Sequence, residues 1–173
     1  MRNYKEKLKN INTIIFDFDG VLTDGKVLVL PDGDQLRSSN VKDGYAIQLA
    51  IKKGLNIVIL SGGKSPSMEK RFENLKIKDV FIGVSNKIEV YNNYLKEKNI
   101  SPDEVLYMGD DIPDYHPMKA SALAVCPADA AKEIKDISHY ISHLKGGEGC
   151  ARDIIEQVLK VKGEWFDEDS FVW

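Results

Sequence analysis

Short apolar runs recur along the chain, each followed by a polar cluster and then an amphipathic stretch. The runs are residues 13–16, 56–60, 80–82, 105–108 and 122–125. They are rich in β-branched and aliphatic side chains and do not alternate strictly, as expected of parallel strands covered on both faces. Helical spacing fills the intervals. Residues 43–53 place Tyr45, Ala46, Leu49 and Ala50 on one face and stop at Gly54. Residues 65–75 open on a Ser cap with Pro66 at the first helical position. Residues 87–98 and 148–159 complete the set. Alternating strands and helices predict an α/β fold, a doubly wound, Rossmann-like parallel sheet.

One segment breaks the alternation. Residues 26–30 and 35–37 flank Pro31-Asp32-Gly33-Asp34 and read as a β-hairpin. Val27, Leu28, Val29, Leu30 and Leu36 give it more apolar surface than a lone hairpin carries in water, which predicts an interface. With 173 residues in all, positions 1–162 read as one domain. Positions 163–173, with Trp165, Phe166 and Trp173, read as an acidic, aromatic tail.

Composition excludes several classes. Lys and Arg number 24 against 27 Asp and Glu, a net charge of −3, which argues against a nucleic-acid partner. No apolar run approaches the length of a membrane span, and the polar N-terminus lacks a signal-peptide core. Cys126 and Cys150 stand apart without CxxC spacing, which fits a reducing cytoplasm. His139 and His143 have i,i+4 spacing, but Tyr140-Ile141 between them reads as a short strand and no third ligand is near.

Ligands of open α/β sheets bind beyond the carboxyl ends of the strands. After the first strand come Asp17 and Asp19; after the second, Ser61-Gly62-Gly63-Lys64; Lys87 opens the helix after the third. Gly109-Asp110-Asp111-Ile112-Pro113-Asp114 follows the fourth. Asp17, Asp19, Asp110, Asp111 and Asp114 would repel one another without a cation, and an all-oxygen set favours Mg²⁺. Ser61, the amide of Gly62 at a helix N-terminus and Lys87 suit phosphate oxygens. Together they describe a phosphoryl-transfer site.

DFDGVLTD at 17–24, Ser61, Lys87 and GDDIPD at 109–114 resemble, in order, the four motifs of the haloacid dehalogenase superfamily. The resemblance implies that Asp17 attacks phosphorus to form an aspartyl-phosphate. It implies that Asp19 protonates the leaving oxygen and then activates water. The Asp17 carboxylate, the Asp19 backbone carbonyl and Asp110 would hold Mg²⁺, with Asp111 a further ligand or the group orienting a metal-bound water. Asp17 and Ser61 are 61 − 17 = 44 positions apart, and Ser61 and Lys87 are 87 − 61 = 26, which leaves no room for a cap domain.

The hairpin, Asn40-Val41-Lys42-Asp43-Gly44-Tyr45 and Lys145-Gly146-Gly147-Glu148-Gly149-Cys150-Ala151-Arg152 resemble more closely the capless phosphatases of 3-deoxy-D-manno-octulosonate (KDO) 8-phosphate. Similarity runs from about residue 10 to residue 160. It implies a role in lipopolysaccharide biosynthesis and a homotetramer in which a neighbour completes the phosphosugar site. Arg71 and Lys64 would then reach across to the sugar-acid carboxylate. The chain departs from the family's Thr-Gly-Arg in reading Ser61-Gly62-Gly63. Phosphatases of nine-carbon sugar-acid 9-phosphates, phosphoprotein or nucleic-acid phosphatases, and a silent sugar-phosphate binding module stay open as alternatives.

Overall fold

A computed structural model describes residues 4–172. The first half runs α1 (Tyr4–Leu8), β1 (Thr13–Phe16), β2 (Leu28–Val29), β3 (Gln35–Leu36), α2 (Val41–Lys52), β4 (Asn56–Leu60), α3 (Pro66–Asn74) and β5 (Asp79–Phe81). The second runs α4 (Lys87–Lys98), β6 (Val105–Met108), α5 (Tyr115–Ala120), β7 (Leu123–Cys126), α6 (Lys132–Ile137), β8 (Tyr140–Ile141) and α7 (Cys150–Lys162). Six strands form one parallel sheet in the order β5-β4-β1-β6-β7-β8. β1 lies at its centre, with Ile14 opposite Ile57 of β4 and Leu106 of β6.

Successive side chains of a strand point to opposite faces. Ile14 and Phe16 therefore pack with Ile47 of α2, Phe72 of α3 and Ile154 of α7. Ile15 packs on the other side, with Tyr91 of α4, Met118 of α5 and Ile134 of α6. Helices on both faces make the sheet doubly wound, and no cap interrupts it: β2, β3 and α2 account for the elements between β1 and β4.

The hairpin pairs over fewer residues than expected, with Leu28 opposite Leu36 and Val29 opposite Gln35. The ladder closes early because Leu30 N–H donates to the Asp34 carbonyl and Gly33 turns at φ +89°. At its base a bridge joins Thr23 to Ser39. Leu28 and Val29 are each 63% exposed.

α7 starts at Cys150 rather than at residue 148, because Gly147 and Gly149 hold positive φ. The preceding Gly146 passes under the loop after β1, where a Cβ would lie 2.0 Å from the Gly20 carbonyl oxygen. The tail folds back onto α2 and α7. Lys53 pairs with Asp167 and Asp169 at 2.6 and 2.7 Å, and the Arg152 guanidinium makes cation–π contacts with Tyr45 and Trp165. Trp173 lies outside the described residues. Among the described residues no helix is long and apolar enough to cross a membrane.

Candidate active site

Four chain segments deliver the site to one edge of the sheet. Asp17 extends β1, its N–H donating to the Met108 carbonyl of β6. The chain then turns, with the N–H groups of Val21, Leu22 and Thr23 all directed at the Phe18 carbonyl. Gly20, at φ +85°, sits where a Cβ would meet the Asp110 carboxylate at 2.0 Å, so only glycine lets the β1 and β6 loops close. Ser61 leaves β4 with its N–H on the Phe81 carbonyl, and Lys87 is the first residue of α4. The resulting cleft, about 390 Å³, is lined by Asp17, Asp19, Ser61, Gly62, Lys87, Asp110 and Asp111.

Lys87 organises the floor. Its buried ammonium pairs with Asp17 Oδ2 at 2.8 Å and Asp114 Oδ1 at 2.7 Å. Asp114 is fully buried: Tyr107 Oη also donates to Oδ1, and the Asp110 N–H donates to Oδ2. Asp114 thereby anchors Lys87 and the Asp110 backbone while staying close to the carboxylates of Asp17 and Asp110. Asp17 Oδ1 accepts from the Phe18 N–H, which fixes the carboxylate plane.

One carboxylate oxygen from each of Asp17, Asp110 and Asp114 lies within 4.8 Å of the others. Burial first, then Asp114, raises the pKa of Asp17, against the opposing pull of Lys87. The same burial and the same Asp114 push Asp110 up to about 7. Burial disfavours the Lys87 charge, but Asp17 and Asp114 outweigh it and hold its pKa above the ordinary lysine value. Three close carboxylates facing one ammonium leave uncompensated negative charge, and the hard oxygen donors of Asp17 and Asp110 at the cleft fit Mg²⁺.

The sign of the pH dependence follows. Between the ordinary carboxylate value of 3.8 and the raised values, the folded chain binds more protons than the unfolded one. Metal-free stability is therefore expected to fall as pH rises through that window. Mg²⁺ requires the ionised carboxylates, so the gain in melting temperature on adding it should grow from about pH 5.5 to about pH 8. Thermal melts at both values, with and without Mg²⁺, measure this; a larger gain at the lower pH would contradict it.

The remaining candidate residues fall in several places. Asp111 lines the cleft wall, but its Oδ1 accepts from the Ile112 N–H and its carboxylate is outside the close group of three. Gly62 lines the cleft but does not head a helix; α3 begins at Pro66, capped by Ser65, whose Oγ accepts from Met68 N–H. Lys64 is exposed beside the hairpin turn, with Asp32 and Asp34 across the same crevice. Arg71 lies partly buried along α3, its Nη2 donating to the Asn40 carbonyl and its Nε buried without a partner. Its position at the start of the last turn of α3, facing Gly44 of α2, explains this.

Two residues were missed. Tyr107 had a signal: a phenol in an otherwise aliphatic buried strand must find a hydrogen-bond partner. Arg37 had little, being a lone cation at the end of a hairpin; it forms a two-bond ion pair with Asp19.

Comparison with known proteins gives this geometry its family. Residues 83–154 match the haloacid dehalogenase-like hydrolases. The 3-deoxy-D-manno-octulosonate 8-phosphate phosphatase of Salmonella typhi is 34% identical over 158 residues, spanning 91% of this chain and 84% of that protein. The crystal structure of the phosphatase of the same name from Yersinia pestis superposes with a TM-score of 0.92 at 30% identity, covering 95% of this chain and 89% of that one. That from Moraxella catarrhalis, in complex with magnesium ion, phosphate ion and KDO, gives a TM-score of 0.92 at 25% identity, covering 95% of each chain. Sequence identity over nearly the whole length, on the same sheet, places the chain in the 3-deoxy-D-manno-octulosonate 8-phosphate phosphatase family of the haloacid dehalogenase-like hydrolases.

Proposed function

We propose that the chain is a cytoplasmic, Mg²⁺-dependent phosphomonoesterase that hydrolyses 3-deoxy-D-manno-octulosonate 8-phosphate to 3-deoxy-D-manno-octulosonate and phosphate. The observation that carries this reading is the cleft in which the carboxylates of Asp17 and Asp110 face Ser61, Gly62 and Lys87. Ser61 Oγ, the Gly62 amide and Lys87 Nζ receive the oxygens of the transferring phosphoryl group, where fixed donors in a water-poor site act most strongly. An Asp17 oxygen attacks phosphorus in line as the bond to the sugar oxygen breaks, leaving an aspartyl-phosphate. Asp19 gives the sugar oxygen its proton and then draws one from the water that releases phosphate. Mg²⁺ held by Asp17 and Asp110, with the Asp19 backbone carbonyl and Asp111 as further candidates, supplies the positive charge that offsets carboxylates and phosphate.

A phosphate-release screen over sugar phosphates with Mg²⁺ tests the substrate. The eight-carbon acid is expected to give a kcat/KM at least about tenfold above a nine-carbon sugar-acid 9-phosphate. The reverse order would move the chain to the nine-carbon reading, and turnover of neither would remove both. Two buried free cysteines support a reducing, cytoplasmic setting.

A homotetramer is the assembly we infer from the hairpin. Leu28 and Val29 are exposed, as are Val27, Leu36 and Val41, and no cap domain lies between β1 and β4 to exclude water from the cleft. Leu28→Glu is expected to lower particle mass and activity together, read by light scattering and phosphate release. A monomeric wild type with full activity on the sugar phosphate would sink this assembly.

A further inference from the structure

Arg37 folds the end of the hairpin onto the site. Its Nε donates to Asp19 Oδ1 at 2.9 Å and its Nη2 to Oδ2 at 3.1 Å, two roughly parallel bonds of the guanidinium–carboxylate fork. The hairpin wraps the guanidinium: Nη1 donates to the Gln35 carbonyl at 2.9 Å and Nη2 to Gln35 Oε1 at 3.2 Å. Nη1 also reaches Ser65 Oγ at the cap of α3, at 3.4 Å. With its side chain 5% exposed, Arg37 has little freedom to leave. Its partner Asp19 lines the cleft.

Gly63 belongs to the same arrangement. A Cβ there would lie 2.7 Å from Asp19 Oδ2 and 3.2 Å from Arg37 Nη2. The fork occupies the space that any side chain at 63 would take. A side chain at 63 would therefore have to displace the fork, whereas the family this chain resembles reads arginine there.

The guanidinium holds both Asp19 oxygens and so fixes the carboxylate in one plane, while each oxygen keeps a further lone pair to accept with. That arrangement suits taking a proton from water. We propose that Arg37 is a positioning residue for the second half of the reaction: it holds Asp19 as the base for the water that attacks the phosphorylated Asp17. In that step the water oxygen bonds to phosphorus and its proton passes to Asp19. The bond from Asp17 oxygen to phosphorus breaks, its electron pair returns to Asp17, and phosphate leaves. The inference rests on the reading of Asp17 as nucleophile.

Steady-state kinetics separates the two halves. For p-nitrophenyl phosphate, kcat/KM covers the steps through loss of nitrophenol, whereas kcat includes hydrolysis of the phosphorylated enzyme. With the Mg²⁺-loaded enzyme, Arg37→Met is expected to lower kcat by about 10²-fold and KM in parallel, keeping kcat/KM within about threefold. Acid-quenched samples should then show phosphorylated Asp17 accumulating by mass spectrometry, and Arg37→Lys should restore part of kcat. Gly63→Ala, which leaves the guanidinium in place but crowds Asp19 Oδ2, should give the same split. If kcat and kcat/KM fall together in both variants, or neither moves, without accumulation of phosphorylated enzyme, the assignment of Arg37 is wrong. Asp17→Asn distinguishes the two failures: continued turnover in that variant overturns the nucleophile reading itself, and the role of Arg37 with it.

Discussion

Asp17→Asn is expected to reduce phosphate release to below about one hundredth of wild type, because a lost nucleophile costs far more than a lost contact. The shape change is minimal. The amide oxygen still accepts from the Phe18 N–H, the bond that now fixes Oδ1. What disappears is the negative charge beside Lys87 and the attacking electron pair. Burial already raises the pKa of Asp17 in the metal-free chain, so a neutral side chain there relieves an unfavourable charge. The metal-free variant should therefore melt within about 4 °C of wild type, roughly the shift that 1–2 kcal/mol gives a domain of this size. Circular dichroism and phosphate release on one preparation measure both. Activity above that level with an intact fold would mean that water, not Asp17, attacks phosphorus.

Lys87→Met carries the second largest effect, on stability as well as rate. The ammonium bridges Asp17 and the fully buried Asp114, and methionine fills its volume without its charge. Removing one partner of a buried ion pair leaves the other uncompensated, at a cost of about 3–5 kcal/mol. The melting temperature should drop by roughly 10 °C, with a larger drop above neutral pH, where Asp17, its pKa raised by burial, gains its charge. Turnover should fall by at least about 10²-fold, since a charged donor to the phosphoryl oxygens is gone. Adding Asp114→Asn to this variant separates the roles: stability should partly return and activity should not. If the single variant melted like wild type, Lys87 would not be holding the floor of the cleft.

Apolar runs and amphipathic helices were legible because their signals are local. β1, β4 and β6 fall where the apolar runs place them, and α4 spans the expected residues. α1 and α6 escaped because five or six residues are too few to show a period, and α5 because Pro117 lies within it. The carboxylates and Lys87 were legible because each follows a strand at the same sheet edge. Their division of labour was not. Asp110 and Asp114 are both motif aspartates, and only the packing of Tyr107 and Lys87 against Asp114 shows that one faces the cleft and the other seals it from below. Arg37 depends wholly on how the hairpin folds back, which no periodicity encodes.

The central place of β1 bears on how the protein is made. Ile14 is paired with Ile57 on one side and with Leu106 on the other, which follows it by 106 − 14 = 92 residues. The ribosome therefore releases this fully buried strand before β4 and β6, while both of its edges still lack partners. One edge can be satisfied once β4 is out; the other waits until more than half of the chain has been translated. Such an interval exposes Thr13-Ile14-Ile15-Phe16 as a template for the wrong strand, and parallel pairings at long separation form slowly. Asp17 and Asp110, which β1 and β6 carry to the cleft, meet only when that second edge closes, so chains stalled before β6 are expected to be both inactive and prone to aggregate.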